Sequence, residues 1–249
     1  MAHPLTAPRR GIGNGLSRPV ALITGAGRGI GRATAEAFAA EGWAVVIAEL
    51  RPALGRGAER ALARAGAPAL FVRTDVASPR SVEHALGTAL RRFRRLDCVV
   101  NNAGVLTPGP LARLPLRDLE RMLAVNIRGP LVVSRAALPA LCRRGGGSIV
   151  NVASQLGKRG IADYVTYCAA KFGVIGLTEA LADELSGTSV SVWAVCPALV
   201  DTELARRAVG LTGRERAGLI RPDTVARVIV ALAIGRRRAP SGAAVDVLR

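Results

Sequence analysis

Short apolar runs and longer helix-patterned stretches alternate six times along this chain, and no other feature constrains its fold as strongly. The runs are Val20–Ile23, Val45–Ala48, Leu70–Val72, Cys98–Val100, Ile149–Val152 and Val190–Val195. Each is bounded by polar or Gly-rich residues and is too short for a helix. Between and after them lie Ala/Leu/Arg stretches with helical spacing at Ile30–Ala40, Ala53–Ala65, Pro79–Phe93, Leu116–Leu141, Tyr164–Leu185 and Pro222–Ile234. Such alternation predicts an α/β class fold, a doubly wound parallel sheet with helices on both faces. A weaker run at Ala243–Val247 brings the expected sheet to about seven strands.

No linker or charge block divides the 249 residues, a length that one packed core can serve. Residues 1–17 are expected to form a flexible, Pro- and Gly-containing extension, and residues 18–249 the single domain. The extension has basic residues but no apolar segment behind them, so it does not read as a secretory signal, and a cytoplasmic location is expected. The apolar runs fall short of a membrane span.

Cys98, Cys142, Cys168 and Cys196 are widely spaced and read as reduced thiols. With His3 and His84 as the only histidines, no familiar zinc spacing exists, and no metal is expected. The formal charge of +17 invites a nucleic-acid reading. Yet Lys158 and Lys171 are the only lysines, and the arginines are dispersed without the stacking aromatics that single-strand binders use. Nonspecific adhesion to polyanions at low salt is expected, with no specific nucleic-acid partner.

The first strand runs directly into Thr24-Gly25-Ala26-Gly27-Arg28-Gly29-Ile30-Gly31, and a helix follows. Glycines let the backbone turn sharply beside a pyrophosphate, while the helix amino end offers free N–H groups to the anion. The placement points to a bound nucleotide on a Rossmann-like fold. Glu49 ends the second strand, where a carboxylate accepts hydrogen bonds from the adenosine ribose diol and repels a 2′-phosphate. Arg28 and Arg51 pull the other way, since either guanidinium can pair with that phosphate. NAD is the expected cofactor, with NADP the alternative.

Tyr167 and Lys171 stand four apart at the start of a predicted helix and so share a face. A tyrosine is a poor base at neutral pH, and a nearby ammonium favours its phenolate. Ser154 lies just beyond the fifth strand, where it can donate a hydrogen bond to a substrate oxygen. Asn126 falls inside the long predicted helix Leu116–Leu141, where a buried amide needs partners.

Taken together, the Gly-rich turn, Asp75-Val76, Asn101-Asn102-Ala103-Gly104, Asn126, Ser154, Tyr167, Lys171 and Pro197 through Thr202 resemble the short-chain dehydrogenase/reductase family, in its order, from about Pro19 to Val247. The resemblance implies a hydride transfer between a nicotinamide cofactor and an alcohol or ketone, with Tyr167 as acid/base. Gly25, Arg28, Gly29, Ile30 and Gly31 would hold the pyrophosphate, and Asp75 and Val76 the adenine. Asn101, Asn102, Ala103 and Gly104 would line the adenosine side, with Pro197 and Thr202 at the nicotinamide. Asn126 would hold a water in a proton relay through Lys171, whose ammonium also meets the nicotinamide ribose.

In two places the sequence departs from the pattern. Ala198 stands where the family usually has glycine, and is expected to restrict the backbone beside the nicotinamide. The segment Val245 to Arg249 lacks the common final glycines, which bears on tail-mediated subunit contacts. Substrate contacts are expected from Gln155–Tyr164 and from Glu203 to Leu219. There Arg206, Arg207, Arg214 and Arg216 either bind an acidic substrate or form a solvated face, and Tyr164 either flanks the substrate or packs. The resemblance further implies a homodimer or homotetramer through the two long helices. The competing reading is a cofactor-sensing, non-catalytic binding protein on the same scaffold.

Overall fold

β-Branched and small apolar residues dominate the short runs, and in the computed structural model, which describes residues 18–210 and 218–248, they become strands. The strands are β1 (Val20–Thr24), β2 (Ala44–Glu49), β3 (Ala69–Arg73), β4 (Cys98–Asn101), β5 (Gly147–Val152), β6 (Val190–Pro197) and β7 (Ala244–Val247). They form one parallel seven-stranded sheet in the order β3-β2-β1-β4-β5-β6-β7. The helices are α1 (Gly29–Ala40), α2 (Pro52–Arg64), α3 (Pro79–Phe93), α4 (Leu116–Leu123), α5 (Gly129–Arg143), α6 (Val165–Glu184), α7 (Glu203–Val209) and α8 (Pro222–Ala233). The expected N-terminal extension lies outside the described residues.

Alternation along β1 divides the core. Ala21 and Ile23 pack with Phe38 of α1, Leu62 of α2 and Ile229 of α8 on one face. Val20 and Leu22 pack with Leu86 of α3, Leu141 of α5 and Leu181 of α6 on the other. Both faces are therefore covered, as a parallel sheet requires. Among the described residues, α6 is the helix long and apolar enough to cross a bilayer by length and composition. Here its buried side, including Val174 and Leu181, belongs to the core.

Three elements differ from expectation. The stretch predicted as one helix from Leu116 to Leu141 is α4 and α5 joined by a π-helical turn at Ala124–Arg128. A widened turn of this kind gives no sign in hydrophobic periodicity. The short helix α7 begins the segment expected only as substrate contacts. Ala198 adopts no glycine-only conformation: Arg94 and Asp163 alone among described non-glycine residues have positive φ. Ala198 thus sits in ordinary backbone, and its N–H donates to the Val247 carbonyl at 2.9 Å.

Candidate active site

The chain leaves β1 toward β2 and β3, then crosses back to lay β4 on the other side of β1. Loops after β1 and β4 therefore diverge from a shared crevice at the carboxyl ends of the strands, where open α/β sheets bind ligands. The Thr24 hydroxyl accepts from Asn102 N and Ala103 N, each at 3.0 Å. Asn102 Nδ2 returns bonds to Thr24 O at 2.8 Å and Gly25 O at 3.2 Å. These bonds lock the glycine turn to the β4 loop.

The turn has no room for side chains. A Cβ on Gly31 would stand 2.3 Å from Gly25 O and 2.4 Å from Asn102 Nδ2, and one on Gly27 2.8 Å from Glu49 Oε2. Gly25 and Gly29 hold positive φ. At the amino end of α1 no side chain caps the first N–H groups. Exposed donors on a close backbone fit a pyrophosphate, as the motif predicts.

Glu49 is buried, and its two carboxylate oxygens are held separately. Gly27 N donates to Oε2 at 3.1 Å and Arg51 N to Oε1 at 3.0 Å. Each oxygen keeps lone-pair capacity for a ribose hydroxyl. Arg28 is paired with Glu203 at the start of α7. Val76 is buried against Gly129, and the Asp75 carboxylate accepts from Ala77 N at 2.9 Å in a local turn.

Asn101 departs from expectation. Its amide is buried and turns inward, donating to Asn151 Oδ1 at 2.8 Å and Ser134 Oγ at 3.1 Å. Successive strand residues point to opposite faces, so the side chain that reaches the glycine turn from this motif is Asn102. The Asn-Asn pair thus sends one amide to each face of the strand end. Gly104 lies beside Asn126, whose Oδ1 a Cβ there would meet at 3.1 Å.

The fifth strand delivers Ser154 and α6 delivers Tyr167 and Lys171. The Ser154 hydroxyl lies beside the Tyr167 phenol, and Ser154 Oγ accepts from Leu156 N at 3.1 Å. The Lys171 ammonium is 5.6 Å from the Tyr167 ring centroid and donates to Val152 O at 2.7 Å. Burial pushes the Tyr167 phenol up to about 12, against the pull of the neighbouring Ser154 hydroxyl, and pushes the buried Lys171 ammonium down to about 8. The positive amino end of α6 adds potential that favours phenolate at Tyr167.

Asn126 sits in the π turn with its amide already satisfied. Nδ2 donates to Val105 O at 2.8 Å and Oδ1 accepts from Val105 N at 3.0 Å. The side chain thus clamps the loop after β4.

At the end of β6 Pro197 is buried, and beyond it Thr202 caps α7 by accepting from Ala205 N at 3.2 Å. The Thr202 methyl would meet a Cβ on Gly29 at 3.3 Å, which places Thr202 against the phosphate turn.

Several expected substrate contacts have other partners. Gln155 Nε2 donates to Asp246 Oδ1 at 2.7 Å and to Cys196 O at 2.9 Å, and Lys158 Nζ donates to Asp246 Oδ1 at 2.6 Å. These side chains tie the segment after Ser154 to β7. Tyr164 donates its hydroxyl to Ala208 O of α7 at 3.2 Å. Arg206 pairs with Asp201 at 3.2 Å and Arg207 with Glu203 at 2.5 Å. Arg214 and Arg216 lie outside the described residues. Asp246 carries no local sequence signal because its partners are remote in the chain, and the same holds for the pairing of Glu203 with Arg28.

Comparison with known proteins agrees with this geometry. The family model described as short chain dehydrogenase matches residues 19–209. The chain is 38% identical over 232 residues to cis-4-hydroxycyclohexanecarboxylate dehydrogenase of Sinomonas cyclohexanicum, covering 89% of this chain and 92% of that one. It is 38% identical to D-threitol dehydrogenase of Mycolicibacterium smegmatis, with 78% and 74% of the two chains covered. With sorbitol dehydrogenase of Cereibacter sphaeroides the identity is 36%, over 76% and 73%.

Proposed function

The chain belongs to the short-chain dehydrogenase/reductase family and is a nicotinamide-dependent oxidoreductase, and from that premise we propose that Tyr167 exchanges the proton with the substrate oxygen. The observation that carries this is the Lys171 ammonium 5.6 Å from the Tyr167 ring centroid on one helix face, with the Ser154 hydroxyl beside the phenol. A bound nicotinamide would supply the hydride acceptor for oxidation of the alcohol carbon or the donor for reduction of the carbonyl carbon. Ser154 orients the substrate oxygen. In oxidation the phenolate of Tyr167 takes the hydroxyl proton, and in reduction the phenol returns it. Lys171 stabilises the phenolate and meets the nicotinamide ribose, while Asn126 positions the water of the proton relay by fixing the π turn. Tyr167→Phe should keep the fold and cofactor affinity and lower turnover by about 10²–10⁴-fold. Near-normal turnover in that variant would overturn the mechanism.

The cofactor we assign is NAD, with NADP as a weaker alternative. Glu49 supports this: two backbone N–H groups hold its buried carboxylate, so it cannot swing away from a 2′-phosphate. Glu49→Ala should shift binding toward NADP, and a wild type binding NADP tenfold more tightly than NAD would refute the assignment.

For substrate we propose a secondary alcohol of a polyol or its ketone, as the names of two relatives suggest. The two described arginines of α7 are already matched to carboxylates, which favours a neutral substrate over an acidic one. A homodimer or homotetramer forming through α4, α5 and α6 is supported by exposed Leu123 of α4, Leu131 of α5, and Val165 and Phe172 of α6. The free cysteines suit a reducing compartment, the cytoplasm.

A further inference from the structure

The preference for NAD leaves Arg28 unexplained, since a guanidinium in the phosphate turn is well placed to attract a 2′-phosphate. Its neighbours account for the conflict. Arg28 is within electrostatic range of Glu49 and Arg51 at the adenosine end and of Arg207 at α7, and burial together with the two arginines lowers its affinity for its proton. The side chain stands between two carboxylates, Glu49 and Glu203, and the ion pair it makes is with Glu203. Glu203 also receives Arg207 at 2.5 Å. A cleft of about 310 Å³, lined by Arg28, Thr202, Glu203 and Arg206, opens beside the pair and leaves the guanidinium room to turn.

We propose that Glu203 determines cofactor specificity by holding the Arg28 guanidinium on α7, away from the adenosine ribose, so that a 2′-phosphate finds the Glu49 carboxylate without its counter-charge. This deepens the assignment of NAD and rests on it. The residues involved are 175 positions apart, and the pairing exists because the phosphate turn and the loop after β6 meet through Gly29 and Thr202. With Glu203 neutral, Arg28 and Arg207 would repel across α7, and among the carboxylates around the cleft, which include Glu36 and Asp201, it is Glu49 whose charge acts on Arg28. The guanidinium would then move toward the adenosine end.

Both side chains are about one third exposed, at 32% and 35%, so the pair is cheap to break. The expected effect is accordingly modest.

The test measures equilibrium dissociation constants for NAD, NADP, AMP and adenosine 2′,5′-bisphosphate on wild type, Glu203→Gln, Arg28→Ala and the double variant. Glu203→Gln should tighten NADP and adenosine 2′,5′-bisphosphate about fivefold and leave NAD and AMP within about twofold. In the Arg28→Ala background the same substitution should do nothing. An equal tightening in both backgrounds would overturn the proposal, because Glu203 would then be repelling the phosphate directly. So would unchanged binding of both 2′-phosphates in Glu203→Gln, with circular dichroism and melting temperature showing that variant folded. A wild type that prefers NADP would refute the Glu49 reading alone, since the coupling between Arg28 and Glu203 is read from the four proteins together.

Discussion

On the β1–β4 side of the cleft, Thr24, Asn102 and Glu49 reach main-chain groups from buried or half-buried positions. On the β5–β7 side, Lys158, Arg206 and Arg207 meet carboxylates that solvent also reaches. The difference in partner sets a difference in rigidity. A buried side chain bonded to backbone is expensive to unpair, whereas an exposed ion pair contributes at most about 1 kcal/mol and weakens in salt. The cofactor half is thereby shaped in advance for one phosphate geometry. The substrate half can shift its loops for alcohols of different size while the proton-transfer residues stay on α6.

Gly31→Ala would break the rigid half most severely. The added methyl has only the Gly25 carbonyl and the Asn102 amide to meet, at 2.3 and 2.4 Å, so the turn itself must move. Overpacking of this kind typically costs about 1–3 kcal/mol, and cofactor affinity should fall about a hundredfold or more by calorimetry. Retained affinity would show that the turn is less constrained than its contacts imply.

At the border of the two halves, Lys171 carries a buried ammonium whose pKa is pushed from 10.5 down to about 8. Below pH 8 folded and unfolded chains both hold the proton, so the burial penalty is constant there. Between pH 8 and 10.5 the unfolded chain binds more proton, and the wild type should gain stability as pH rises, by at most about 1.4 kcal/mol per pH unit. Lys171→Met should remove this component, so that its stability differs most from wild type below pH 8 and converges with rising pH. Denaturant midpoints across the range test it, and parallel curves would contradict the buried charge.

The smallest effect belongs to the adjustable half. Burial alone would raise the Asp246 carboxyl, but hydrogen bonds from Lys158 and Gln155 hold it below its usual range. Asp246 is well exposed, and Asn can still accept both bonds. Asp246→Asn should therefore change stability by less than about 1 kcal/mol and raise KM a few-fold through the loop after Ser154. Wild-type KM should climb toward that of the variant as salt is added. A KM indifferent to both changes would mean that β7 does not steer this loop.

The sheet, its two helical faces and the Tyr167–Lys171 pair were legible from residue spacing, because strand and helix periods are written in neighbours only a few positions apart. The glycine turn was legible for the same reason, as its Cβ-free backbone is local. Asn101 and Asn102 could not be assigned to opposite faces until the end of β4 was placed. The π turn under Asn126 leaves the apolar pattern on either side intact, and so it stayed hidden within a predicted straight helix. Pairings of Gln155 with Asp246, 91 residues on, and of Arg28 with Glu203 were decided by tertiary structure alone. Many arginines and carboxylates in this chain could satisfy one another equally well. Which of them meet depends on where the crossovers bring distant loops together at the carboxyl edge of the sheet.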